Sequence, residues 1–306
     1  MKRPNFFISG APRCGTTALY TYLSVHPKIF MSEVKELNYF ATDFPNVHKV
    51  SFRSIDDYHK VFSKANEQHL AVGEASPFYL FSKVAFQMMH SYNPEARVIL
   101  TLRHPVDFVE SYHQLNLSLL REDEPDLAKA WDLQALRKNG QCIPKSARQA
   151  ELLLYGELGQ FGKYVEKLFY IFPRAQVKIF LFDDFRANPR NVYEGTLVFL
   201  GVPSDGRGEF PPINANFENR SAFLAHLFHP QQPIYQIFMK FVSVFGVSFT
   251  KNISIVYNRL ERLNTARKPR LAMDATLRSR LLNHFTPDIE KLSGLIGRDL
   301  SMWLEG

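Results

Sequence analysis

The chain has 306 residues, 45% of them hydrophobic and 27 of them Phe, which supplies a globular core and excludes a disordered chain. Lys and Arg exceed Asp and Glu by 37 to 30, a net charge of +7 with no long basic run. That balance suits an anionic ligand and is no argument for nucleic acid, which is not expected as a partner. The first element follows at once. Phe6 to Ser9 read as a short buried strand, Gly10-Ala-Pro-Arg-Cys-Gly15-Thr16-Thr17 as a compact loop, and Ala18 to Leu23 as an apolar helix. A strand, a glycine loop and a helix N-terminus in that order make an anion site. The first-turn N–H groups lack intrahelical partners, and the helix dipole adds roughly half a positive charge. The spacing Gly10-x4-Gly15 copies a nucleotide P-loop, yet Thr16 stands where that loop carries its lysine, and the basic residue is Arg13 inside the loop.

Further along, Ile29 to Met31 lead into Ser32-Glu33-Val34-Lys35-Glu36, and Ser54 caps an expected amphipathic helix. Ala71-Val72-Gly73 reads as a brief strand, followed by Glu74-Ala-Ser-Pro77 and a helix through Met89. Arg97 to Leu102 is the clearest buried strand, of the parallel-sheet type, and Pro105 opens the next helix. Residues 147–172 are helical by spacing, Val177 to Phe182 form a strand, and Pro189 to Leu200 return to helix. From about residue 220 only helices and loops are expected, with helix starts at Asp274 and Thr286-Pro287 and a stop at Gly297. The expected fold is α/β: a P-loop-like parallel sheet flanked by helices, with a helical C-terminal layer. One domain spans 1–306, with its α/β core at about 1–205 and its mostly helical part at about 206–306.

The chain begins almost on its first strand, so no signal peptide is expected. Two cysteines, Cys14 and Cys142, form no disulfide framework, and a reducing cytoplasm is the simpler setting. Cys14 does not read as a phosphatase nucleophile, because that loop needs Cys-x5-Arg and the sixth residue after Cys14 is Tyr20. The apolar segment Ile234 to Tyr257 is interrupted by Lys240, Gly246 and Lys251. It is too polar for a membrane span, but transient contact with an apolar surface is compatible with it.

In an open α/β sheet, ligands bind beyond the carboxyl ends of the strands. The residues placed there are Arg13 after the first strand, Glu74 and Ser76 after the second, and Arg103 and His104 after the third. Two arginines suit a ligand with two separated anionic groups, and Ser111, about two turns into the following helix, can join the same anion. Nucleotide hydrolysis needs a P-loop lysine and an acidic strand end for magnesium. The lysine is missing and the best strand ends in Arg103, so a bisphosphate-bearing donor working without metal fits better. No His, Cys, Asp and Glu set has metal-ligand spacing, and no metal is expected.

These motifs resemble the 3′-phosphoadenosine 5′-phosphosulfate (PAPS)-dependent sulfotransferases, particularly bacterial members close to heparan-sulfate sulfotransferase domains. Gly10 to Thr17 is similar to their 5′-phosphosulfate loop, and Arg97-Val-Ile-Leu-Thr-Leu-Arg-His-Pro to Ser111 to their 3′-phosphate strand, turn and helix. Lys35-Glu36 followed by Tyr39-Phe40 resembles the family's Glu-x-x-aromatic-Phe segment. Phe172-Pro173, Asp183-Asp-Phe, Asn188-Pro189, Phe199-Leu-Gly201, Arg298-Asp299-Leu300 and Trp303 resemble the later half. The resemblance implies sulfuryl transfer from PAPS to a hydroxylated small-molecule or glycan acceptor. It assigns Arg13, Cys14, Gly15, Thr16 and Thr17 to the 5′-phosphosulfate, Arg103 and Ser111 to the 3′-phosphate, and Glu36 as general base, with Arg13 stabilising the leaving group. Glu74 and then His104 are the rival bases. Many relatives carry Lys where Arg13 stands, heparan-type enzymes carry Lys at the position of Ala75, and Arg220 is the candidate for the missing Lys-Gly-Arg loop. Aromatic residues including Tyr39 and Phe40 are candidates for an acceptor wall. The other readings are a P-loop small-molecule kinase and a nucleotide-binding module without catalysis.

Overall fold

The structure is a computed structural model, described over residues 2–44, 47, 52, 54–147, 149–213, 218–219, 265–266 and 273–305. In chain order its elements are β1 (Phe6–Gly10), α1 (Thr16–Leu23), β2 (Ile29–Met31), α2 (Ile55–Lys60), β3 (Ala71–Ala75), α3 (Ala85–Tyr92), β4 (Arg97–Leu102) and α4 (Pro105–Ser118). There follow α5 (Leu127–Asp132), α6 (Gln134–Lys138), α7 (Tyr155–Leu158), α8 (Phe161–Ile171), β5 (Val177–Leu181), α9 (Phe182–Ala187) and α10 (Pro189–Leu200). Strands β6 (Glu218–Asn219) and β7 (Thr265–Ala266) and helix α11 (Ala275–Ile296) complete the described chain.

Five strands form one parallel sheet in the order β2-β3-β1-β4-β5. Apolar side chains leave both faces, so both must be covered. Phe6 and Ile8 of β1 and Ile99 of β4 pack with Leu19 and Leu23 of α1 and Val192 and Leu197 of α10. Phe7 of β1 and Val98, Leu100 and Leu102 of β4 pack on the other face, where Phe108, Val165, Leu281 and Phe285 join them. This period-2 division explains why β1 and β4 read as unbroken apolar runs. Gly73 of β3 gives the Phe6 ring its place, since a Cβ there would lie 2.4 Å from that ring. The C-terminal helix α11 contributes Leu277, Leu281, Phe285, Ile289 and Leu292 to the same core as the sheet.

Five expectations change. Ile29–Met31, read only as a lead-in, pairs in parallel with β3 from Ile29↔Ala71 to Met31↔Gly73. Residues 147–172 are not one helix but a 3-10 turn at Ala150–Leu153, then α7 and α8. Close packing sets the break: a Cβ on Gly159 would meet the Phe285 ring at 2.6 Å, and the Asp288 carboxylate accepts from the N–H groups of Gly162 and Lys163. The helix expected through Met89 is likewise split, into a 3-10 turn at Pro77–Leu80 and α3, with Ser82 Oγ accepting from Ala85 N–H. Pro287 lies inside α11 rather than starting a helix, because buried Phe285 and Ile289 flank it and hold both halves on one core. The region beyond residue 220, read as helices and loops, also contributes Thr265–Ala266, antiparallel to Glu218–Asn219. Asp274 caps α11 by accepting from Leu277 N–H, and Gly297 ends it in the left-handed region.

Candidate active site

The sheet order reverses about β1, and the loops after β1, β3 and β4 therefore open onto one crevice. A cavity of about 450 Å³ lies there, lined by Arg13, Gly15, Thr16, Thr17, Arg103 and Ser111 together with Lys35 and Glu36. Residues separated by almost a hundred positions thus meet because parallel strands deliver their C-terminal ends side by side.

The cradle after β1 is tied to β4: Ala11 N–H donates to the Thr101 carbonyl at 2.7 Å, and Thr101 Oγ1 donates to the Gly10 carbonyl at 3.2 Å. Gly15, at φ 94, caps α1 in a left-handed conformation that a side chain would strain. Thr16 and Thr17 begin the helix, so their N–H groups belong to the unpaired first turn that favours an anion. Arg13 Nε donates to Ser111 Oγ at 3.0 Å, joining the cradle to α4. Cys14 differs from its neighbours: its side chain is buried in the core and absent from the cavity lining, and burial pushes its thiol up to about 12.

Arg103 follows β4 directly, with its guanidinium 4.8 Å from the Phe182 ring centre and 3.6 Å from Asp107, which in turn meets Arg278 of α11 at 3.5 Å. His104 is not at the cavity. Its Nδ1 accepts from Val106 N–H, so its Nε2–H donates to the Trp303 carbonyl at 2.9 Å, and burial lowers its pKa. The C-terminal motif thereby locks the base of the crevice: Trp303 Nε1 donates to Asp183, and Arg298 forms a two-pronged bond with Asp184 at 2.7 and 3.0 Å.

The two rival carboxylates occupy different worlds. Glu36 lines the cavity with Lys35 Nζ 3.0 Å from its Oε1. Glu74 is fully buried and outside the lining, accepting from Tyr58 OH at 2.7 Å, Tyr79 OH at 2.8 Å and Ser76 Oγ at 2.6 Å. Burial pushes the Glu74 carboxyl above its ordinary range, against the pull of those three hydroxyls. Ser76 Oγ, while donating to Glu74, accepts from Asn38 N–H at 2.9 Å, and Asn38 Nδ2 donates to the Glu36 carbonyl at 3.1 Å. Glu36 N–H also donates to the Ala75 carbonyl at 2.9 Å. Glu36 and Asn38 sit at φ 66 and φ 53, a left-handed turn of the chain that these bonds hold in place.

Several lining residues escaped the sequence reading: Phe78, Phe182, Leu115, Leu119 and Arg121. Leu115 and Leu119 lie four and eight positions after Ser111, so helical spacing alone places them on its face. Arg121 had no such signal. Its neighbour Glu122 is buried and clasped by Arg137 at 2.7 and 2.6 Å, which anchors the turn after α4. The aromatic residues lining the cavity are Phe78 and Phe182, while Tyr39 and Phe40 pack on Tyr58 at 4.4 and 5.4 Å between ring centres. Arg220 and the segment Ile234 to Tyr257 lie outside the described residues. Among the described residues no helix is long and apolar enough to cross a membrane.

Comparison with known proteins agrees with this geometry. The membrane-associated sulfotransferase kil1 of Dictyostelium discoideum is 31% identical over 167 residues, 54% of this chain and 33% of that protein. The human bifunctional heparan sulfate N-deacetylase/N-sulfotransferase 3 is 28% identical over 202 residues, 65% of this chain and 22% of its own. The match thus spans about a third or less of these relatives' length. A solved sulfotransferase from Alicyclobacillus acidocaldarius superposes with a TM-score of 0.70 at 26% identity, covering 99% of each chain. With residues 3–225 matching the sulfotransferase domain, the chain belongs to that family.

Proposed function

We propose that the protein transfers the sulfuryl group of PAPS to a hydroxyl acceptor by in-line displacement. One observation carries the reading: a single cavity gathers two arginines, a helix N-terminus, a serine bonded to one of the arginines, and a carboxylate. The N–H groups of Gly15, Thr16 and Thr17, with Arg13, hold the 5′-phosphosulfate. Arg103 and Ser111 hold the 3′-phosphate, and the Arg13–Ser111 bond keeps the two positions in register. Glu36 takes the proton of the acceptor hydroxyl as its oxygen bonds to sulfur. The bond from sulfur to the phosphate oxygen breaks, its electron pair leaves on the phosphate, and Arg13 stabilises that growing charge without giving up a proton. The scheme calls on no metal ion.

The acceptor belongs to a class of carbohydrates, glycolipids or other hydroxylated metabolites. The names of two relatives, a heparan sulfate N-sulfotransferase and the human carbohydrate sulfotransferase 15, support a sugar. Ala75 stands where heparan-type enzymes carry lysine, so a contact those enzymes use is missing or replaced here, which counts against heparan specifically. The same reading takes residues 1–306 as one sulfotransferase domain in a reducing, cytoplasmic setting, consistent with the unpaired Cys14 and Cys142.

Calorimetric titration with 3′-phosphoadenosine 5′-phosphate (PAP), beside ADP and ATP with magnesium, tests the assignment in wild type and Arg103→Ala. Each charge-assisted bond is worth ~1.5–3 kcal/mol, so Arg103→Ala weakens PAP roughly 10- to 150-fold and leaves ADP little changed. Preference for ATP with magnesium, or indifference to the 3′-phosphate, sinks the sulfotransferase reading in favour of a kinase.

A further inference from the structure

We infer that Lys35 is a positioning residue for the transfer step, holding the Glu36 carboxylate through its Oε1 at the cavity where the acceptor hydroxyl binds. The inference rests on the sulfotransferase reading above. Neighbouring side chains in extended backbone point to opposite sides. Here the left-handed turn at Glu36 brings both Lys35 and Glu36 into the lining of one cavity, with Lys35 Nζ 3.0 Å from Glu36 Oε1. The Lys35 side chain is 14% exposed and that of Glu36 26%, so the pair is sheltered from the solvent screening that makes most surface ion pairs weak.

The chemistry of the lining singles this lysine out. Its other cations, Arg13, Arg103 and Arg121, are guanidinium groups, and Lys35 is the one ammonium among the described lining residues. Two of those arginines are committed to the phosphate end of the donor, whereas Lys35 is bonded to the base. An ammonium beside a carboxylate favours its ionised form, which is the form that accepts a proton. Anchoring one oxygen also removes rotational freedom that the transition state would otherwise have to freeze. Lys35 itself gains and loses no proton: the acceptor proton goes to Glu36, the acceptor oxygen bonds to sulfur, and the electron pair of the broken sulfur–oxygen bond leaves on the donor phosphate.

The charged groups around the pair come from four other elements. Glu33, in the same loop, is paired with Lys64 on the outer surface, and Glu74, beneath the loop on β3, is enclosed by three hydroxyl donors. Arg13 from the cradle bonds to Ser111, Arg103 from the end of β4 lies against Asp107 and Phe182, and Arg121 lines the cavity after α4.

The test compares wild type, Lys35→Met and Lys35→Arg, with Glu36→Gln to assign the Glu36 signal. The Glu36 carboxyl is titrated by 13C NMR, sulfate release from labelled PAPS with water as acceptor is followed against pH, and PAP binding is measured by calorimetry. Loss of the ammonium in Lys35→Met moves the Glu36 midpoint and the acid limb of sulfate release to higher pH together. The rate on the acid side falls about tenfold, PAP affinity stays within twofold, and Lys35→Arg restores the wild-type midpoint. An unchanged Glu36 midpoint in a Lys35→Met protein that still binds PAP overturns the inference. Weakened PAP binding with an unmoved pH profile overturns it too, by making Lys35 a donor contact. Failure of the wild type to bind PAP is a separate result that removes the sulfotransferase reading itself, and this role with it.

Discussion

The two walls of the cavity that the proposed reading assigns to the donor anion and to the base are built in different ways. The anion wall stands on rigid elements: the loop after β1 is bonded to β4, Ser111 is on α4, and Arg103 directly follows a strand buried on both faces. The base wall is a short loop with two left-handed residues, Glu36 and Asn38, held by bonds to Ala75 and Ser76 and, through Ser76, by the buried Glu74. A phosphate is recognised by many donors over a broad surface, so a motif of backbone N–H groups and arginines suffices. A proton acceptor must be placed at one point, and in the proposed reading a buried carboxylate and two tyrosines help to place Glu36.

The sharpest way to separate the walls is to remove chemistry from one and binding from the other. Glu36→Gln keeps the shape but cannot take a proton, and general-base loss costs roughly 10²–10⁴ in kcat. PAP affinity in that variant stays at the wild-type value by calorimetry; a matching loss of affinity would merge the walls into one. Arg103→Ala is the converse, with the 10- to 150-fold loss of PAP affinity already given.

Ser76→Ala attacks the support of the base rather than the base. It leaves the buried Asn38 N–H and one Glu74 oxygen without their partner, a cost of about 1–3 kcal/mol read as a lower urea midpoint. Its kcat falls while PAP affinity holds, and a stability loss without any fall in kcat would show that the loop does not depend on this support. The smallest effect is in pH dependence. Because burial raises the folded-state Glu74 carboxyl above its ordinary value of 4.5, the folded protein holds that proton more tightly than the unfolded chain. Its stabilising contribution is therefore present at low pH and declines as pH rises from 4.5 through the raised folded value. Glu74→Gln removes this part of the slope, which the difference between urea midpoints of the two proteins across that interval measures.

Much of the anion wall was legible in the residues. Gly10, Gly15 and the two threonines read as a cradle because a tight turn and a helix start are decided within a few residues, by backbone sterics and first-turn N–H groups. Arg103 and Ser111 followed from an apolar strand that ends in a charge and from helical spacing. The structure brings Gly15, both threonines, Arg103 and Ser111 to one cavity, whereas Gly10 and the strand-end residues Glu74, Ser76 and His104 do not line it. Cys14 was different: it belongs to the same loop, but its side chain turns into the core.

The base wall was only half legible. Both Glu36 and Glu74 were candidates, and nothing local distinguishes two carboxylates near strand ends. Their difference comes from Tyr58, Tyr79 and Ser76, which meet Glu74 only after β3 is seated in the sheet and α2 and the turn after β3 have packed. Pro287 within α11 and the broken helix at 147–172 have the same origin, since core contacts on both sides of Pro287 and the Gly159–Phe285 approach override local signals. The sequence by itself determined the parallel α/β class, the cradle and the two arginines, because periodicity, turn chemistry and charge are properties of short stretches. Only the tertiary structure decided which carboxylate lines the cavity, which histidine is a cap and which lysine stands beside Glu36, because burial and partner choice depend on residues far apart in the chain.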